Sequence, residues 1–167
     1  KLSLGDLLII KNDVWDALLL YAQVDKDYKY DELGERAKLK SAKTHYYTGS
    51  FQFAKGQLDV LKGSTSKLIA NDAMELSRLI TDNSTVDTTI IPMHMYARAD
   101  LLYVQNQFED AVLILDSINF TLYVFSKSLA KEKPTLPPPT IIILEYASSW
   151  SLNSSTIEPI LSADETK

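Results

Sequence analysis

A chain of 167 residues with 46% hydrophobic and 23% charged side chains has enough apolar material to bury a core and is not disordered by composition. Its 17 basic and 22 acidic residues leave a formal charge of -5, the wrong sign for a nucleic-acid binder, which needs a cationic face to displace counterions. With no cysteine there is no disulfide, thiolate or cysteine–zinc chemistry, and no apolar run reaches the roughly 20 residues a membrane helix requires.

The first residue is Lys, with neither Met nor a signal-peptide pattern, so the chain is expected to be an excised or processed piece. Apolar residues then recur every three or four positions, which is the helical period. Leu4, Leu7 and Leu8 followed by Val14, Ala17, Leu18 and Tyr21 predict two short helices, with Asn12 or Asp13 capping the second. A second pair is expected over about 31–48 and 51–62, turning at Gly49 with Ser50 as the next cap. An extra amphipathic helix is expected over about 67–82. A third pair follows over about 89–105 and 108–120, with Pro92 in a first turn that does not need its N–H.

Beyond residue 120 other rules apply. Pro134, Pro137, Pro138 and Pro139 forbid a continuous helix, and Ile141–Tyr146 reads as a strand or extended apolar segment. The expected organisation is therefore a helical domain over 1–120, with units of about 1–30, 31–65 and 89–120, and an irregular Pro-rich tail over 121–167. Ile141–Tyr146 would be an association hazard if exposed, so it is expected to dock on its own helices or to pair two copies as a homodimer.

Superposing the pairs gives one template. Gly5, Leu8, Asn12, Val14, Ala17, Tyr21 and Val24 recur 37 positions later as Ala42, His45, Gly49, Phe51, Ala54, Leu58 and Leu61. They recur again, 57 positions further on, as Ala99, Leu102, Asn106, Phe108, Ala111, Leu115 and Ile118. Two helices joined by a tight turn must approach closely, which explains the small residues. Bulky ones are expected to fill the groove between successive pairs.

In this pattern the chain resembles the tetratricopeptide repeat (TPR) family. The stretches Phe51–Lys62, Ser66–Leu76, Tyr96–Leu102 and Phe108–Ile118 are similar to large, poorly characterised bacterial TPR proteins. The family's Trp is replaced by Lys1, Lys38 and Met95, and its Pro after each unit is absent. The resemblance implies an all-α superhelix of antiparallel helix pairs that acts as a non-catalytic scaffold and needs no cofactor. It also implies a bacterial setting, with periplasm or cell envelope favoured over cytoplasm. The partner is expected to be another protein or peptide, with no nucleic acid and no membrane insertion.

Carrying over the family's concave positions gives Asp6 and Ile9, then Arg36, Lys40, Lys43 and Tyr47, then Met93, Tyr96, Asp100 and Tyr103. The middle set is spaced i, i+4, i+7, i+11, one stripe on a helix. A basic stripe ending in an aromatic suits an acidic or C-terminal peptide. The competing reading is a solvated face with Lys43 paired to Asp6. The tyrosines 46, 47, 96 and 103 read either as an aromatic pocket or, more simply, as packing residues. Asp25–Asp31 begins like a calcium loop, but its sixth place is Tyr30 and its twelfth Arg36, so a solvated loop is expected. His45 and His94 lack a second ligand at metal spacing, and no nucleophile elbow, phosphate loop or carboxylate pair is present.

Overall fold

The computed structural model describes residues 1–29, 31–84 and 90–118. These form seven helices: α1 (Leu2–Ile10), α2 (Val14–Asp27), α3 (Glu32–Tyr47), α4 (Phe51–Leu61), α5 (Lys67–Ser84), α6 (Ile90–Val104) and α7 (108–118). The predicted Pro-rich tail, its apolar segment and the tail-mediated dimer lie outside the described residues.

Three turns repeat atom for atom. Asn12, Gly49 and Asn106 all sit in the left-handed region, with φ of 67°, 79° and 60°. Each turn carries the same two hydrogen bonds. Asn12 N, Gly49 N and Asn106 N donate to Ile9 O, Tyr46 O and Tyr103 O; Asp13 N, Ser50 N and Gln107 N donate to Leu8 O, His45 O and Leu102 O. That pair of bonds closes a helix C-terminus when the next residue turns left-handed, a conformation that glycine and asparagine tolerate best. Asn12 is therefore the terminator of α1. It does not cap α2. Asp13 and Ser50 occupy the cap positions but their side chains make no capping hydrogen bond, so the expected side-chain caps are not formed.

The small template residues are buried where the helices of a pair approach: Gly5, Ala42 and Ala99 on the first helices, Ala17, Ala54 and Ala111 on the second. The approach at Gly5 is close enough that an added Cβ would lie 2.5 Å from the Tyr21 ring. The bulky residues behave less uniformly. Phe51 is buried, but Val14 is only partly covered and Phe108 is half exposed, meeting Tyr103 edge to face at 5.4 Å.

Neighbouring helices pack mainly on one another in chain order, and polar ties mark the stacking of pairs. Lys38 pairs with Asp25 between α2 and α3, and Lys40 with Asp6 between α1 and α3. Helix α5 stands beside α3–α4 much as α3 stands beside α1–α2. Lys43 reaches Asp72 of α5, and the buried Ser77 Oγ donates to Asp59 of α4. Asp59 also accepts from Lys55 and Lys62, and these cations hold its pKa down to about 2. The predicted extra helix thus stacks within the repeat without a second helix of its own.

The third pair returns toward the first. Gln105, just past α6, donates from Nε2 to Ile9 O at 3.0 Å and to Asn12 Oδ1 at 3.1 Å. Leu101 of α6 joins Ile9, Ala17 and Tyr21 in one buried cluster, with Leu2, Leu8 and Tyr47 against it. Asp25 and Asp27 lie within α2 and pair with Lys38 and Lys1, so the calcium-like run ends a helix rather than forming a solvated loop there.

Candidate functional site

An open space lined by both polar and apolar groups lies between α1, α3 and the end of α6. It has a volume of about 210 Å³ and is bounded by Asp6, Ile9 and Ile10 of α1, Tyr21 of α2, Lys40, Lys43, Thr44 and Tyr47 of α3, and Val104. The helical period explains the α3 contribution, since residues three and four apart share a face.

Asp6 organises one wall. Its Oδ1 accepts from Tyr21 Oη and from Lys40 Nζ, both at 2.7 Å. Burial, and then the Asp6 carboxylate, raise the Tyr21 pKa, so the phenol stays protonated and keeps donating. Lys43 leans the other way, 3.6 Å from Asp72. The expected pairing of Lys43 with Asp6 is thus wrong by one helical turn, because Lys40 faces α1 and Lys43 faces α5.

Four predicted residues, Asp6, Lys40, Lys43 and Tyr47, meet in this groove, together with Ile9. The others go elsewhere. Arg36 is exposed and donates to Glu32 within its own helix. Met93 is buried, and Tyr103 meets Phe108 edge to face. Tyr96 and Asp100 lie on α6 outside the cavity wall. Asp100 faces Lys43, Tyr46 and Tyr47 electrostatically; burial pushes its carboxyl up to about 6 while Lys43 opposes the shift. The same burial raises the pKa of Tyr46 and of Tyr47.

Tyr46 settles the aromatic alternative for its own position. It is buried against Tyr47 and Phe51 at 5.7 and 5.8 Å, and its hydroxyl has no hydrogen-bond partner. That is packing, with no ring face left for a ligand. His45 is half-buried edge-on to Phe53, and burial lowers its pKa, while His94 rests on Phe51 at 4.7 Å. No group of three or more His, Cys, Asp or Glu fit to hold a metal occurs among the described residues. No helix there is long and apolar enough to cross a membrane.

Ile10, Tyr21, Thr44 and Val104 complete the groove and were not among the predicted site residues. Thr44 carried a signal in the sequence, being four residues after Lys40 on the same stripe. Val104 carried none, because its place depends on α6 returning to α1. No protein-family model matches the chain, and neither a curated protein nor a solved structure matches it.

Proposed function

We propose that this chain is a non-catalytic protein-binding scaffold of the TPR type, a section of a longer bacterial repeat protein. Its groove between α1 and α3 takes the acidic or C-terminal end of a peptide. The observation that carries the reading is the groove itself, which Lys40 and Lys43 line together with the apolar walls of Ile9, Ile10, Tyr47 and Val104, the Lys40 ammonium lying inside on Asp6 and that of Lys43 at its edge toward Asp72. An apolar last side chain suits the walls, and a carboxylate suits the cations.

Lys43 is the group best placed to change partners. Its 3.6 Å approach to Asp72 is longer than a charge-assisted hydrogen bond of about 2.8 Å, and both residues are substantially exposed. Such a pair is worth about 0–1 kcal/mol, so a ligand carboxylate displaces it at little cost. Lys40, held at 2.7 Å by Asp6, serves as the fixed charge.

The test is a titration of labelled peptides ending in an apolar residue, with a free or an amidated C-terminus. The free acid should bind more tightly, and Lys43→Met should weaken it roughly tenfold, the loss of about one charged hydrogen bond. Arg36→Met should have no effect, since Arg36 stands outside the groove. Equal losses for the two variants, or indifference to amidation, would refute the assignment.

A further inference from the structure

Asp6, Lys43 and Asp100 hold one template position, each directly after the small residue at which its helix pair closes. Along the chain that position reads acid, base, acid. Asp6 is answered by Lys40 Nζ and Tyr21 Oη, both at 2.7 Å. The cation that faces Asp100 is Lys43, which also lies 3.6 Å from Asp72 of α5. Asp100 stands one turn before Val104 on the same face of α6, and Val104 is a wall of the groove. Leu101, the next residue, is buried with Ile9 and Tyr21, and Tyr47 packs against that cluster. A partly buried carboxyl therefore sits one helical turn outside the groove, facing Lys43 and Tyr47 of its lining and the buried Tyr46.

The charges around the groove do not suit an acidic ligand while every carboxyl is ionised. Lys40 and Lys43 stand against Asp6, Asp72 and Asp100. A peptide carboxylate adds one more negative charge. It enters at Lys43, because Lys40 is committed to Asp6, and there it meets Asp100 across the same ammonium. Two carboxylates sharing one cation in a partly buried place disfavour each other's charge, and a proton on one of them relieves this. Asp6 is fixed by two donors, and Asp72 keeps 38% of its side chain in solvent. Asp100 is the carboxyl that burial already pushes up, to about 6. The phenols of Tyr46 and Tyr47 stay protonated in that range, since burial raises both, and Tyr96 faces Tyr46 from α6 itself.

We infer that Asp100 gates the groove: a peptide carboxylate is taken onto Lys43 together with a proton from solvent onto Asp100, so the ligand is held more tightly in acid. The inference rests on the groove taking a carboxylate, as proposed above. A neutral Asp100 leaves Lys43 to the ligand, and an ionised one competes for it. Affinity therefore declines as pH rises through 6, and by reciprocity the bound carboxylate makes Asp100 harder to ionise.

The test uses the full chain and a rhodamine-labelled pentapeptide of serine and glycine ending in leucine, as the free acid or the amide. The parent should bind the free acid roughly fivefold more tightly at about pH 5.5 than at about pH 7.5. Asp100→Asn should bind it at both pH values as tightly as the parent does in acid, and the amide should show no such gain. Calorimetry at about pH 6.5 in buffers of different ionisation heat should show the parent taking up part of a proton on binding the free acid, and Asp100→Asn none. Neither histidine lines the groove, so the difference between parent and variant isolates Asp100. Should the variant lose helicity, proton uptake by the parent with the free acid but not the amide still decides. A free acid that binds better than the amide, but equally at both pH values and without proton uptake, would overturn the gate and leave the groove assignment standing. Indifference to amidation at both pH values would remove the assignment and the gate together. A pH dependence that Asp100→Asn retains would overturn the gate as well.

Discussion

Helices α1 and α3 occupy equivalent positions but divide their residues in opposite ways. Helix α1 is almost wholly apolar and leaves Leu4, Leu7 and Ile10 in solvent, whereas α3 is rich in charge and buries Ala37, Leu39, Ala42 and Tyr46, with the polar Ser41 and Thr44. Burial here follows rank in the stack more than composition. α3 has neighbours on several sides, α1–α2 before it and α4, α5 and α6 after, while α1 has α2, α3 and the end of α6. A threonine is therefore covered where its counterpart leucine is not. Thr44 meets the cost of burial by donating its hydroxyl to Lys40 O at 2.8 Å.

The comparison can be broken most forcefully at leucine. Leu39→Ala on α3 should cost about 2–5 kcal/mol in urea unfolding, because it leaves a cavity in a packed layer. The same change at the exposed Leu7 should cost under about 0.5 kcal/mol. Equal costs would mean that Leu7 is covered and that rank in the stack does not govern burial.

A second test sharpens the claim that α6 covers α3. The Asp100 carboxyl has a folded pKa of about 6 against an ordinary 3.8, so the folded chain holds a proton that the unfolded chain has released. Its penalty is fully present above pH 6 and is relieved as pH falls from about 6 to 4, a change of up to roughly 3 kcal/mol. Asp100→Asn should remove that gain and raise stability at pH 7. His45, whose pKa is lowered, acts in the opposite sense as pH falls below 6.5, so the difference between variant and parent is the quantity to read. Asp59 does not interfere, since its contribution is present above 3.8 and is lost as pH falls toward 2. A variant with the parent's pH profile would show that the packing of α6 on α3 does not desolvate this group.

The smallest effect concerns the tie between the first and third pairs. Gln105→Ala removes two hydrogen bonds to the α1 turn and should cost about 1–2 kcal/mol, with faster amide exchange in α6 than in α4. Uniform exchange across both helices would show that the return of α6 is held by Leu101 alone.

Local chemistry made much of the fold legible. The helical period marked all seven helices to within a residue or two at most ends, and the turn residues Asn12, Gly49 and Asn106 aligned because only a few residue types accept a left-handed backbone. The stripe Lys40, Lys43 and Tyr47 was legible for the same reason, being fixed by spacing on one helix. Partners across helices were not. Which lysine meets Asp6 depends on how far one helix is rotated against another, and one turn of error exchanges Lys40 for Lys43.

The sequence by itself determined the helices, their turns and the small residues at which each pair closes, since these depend on a residue and its near neighbours along the chain. Tertiary structure alone decided that Gln105 and Val104 reach α1, that Asp100 is partly buried, and that Leu4 and Leu7 are left in solvent. Those outcomes depend on the order and angle in which helix pairs stack. That geometry is a sum of many weak contacts between residues up to 96 positions apart, and no local pattern encodes it.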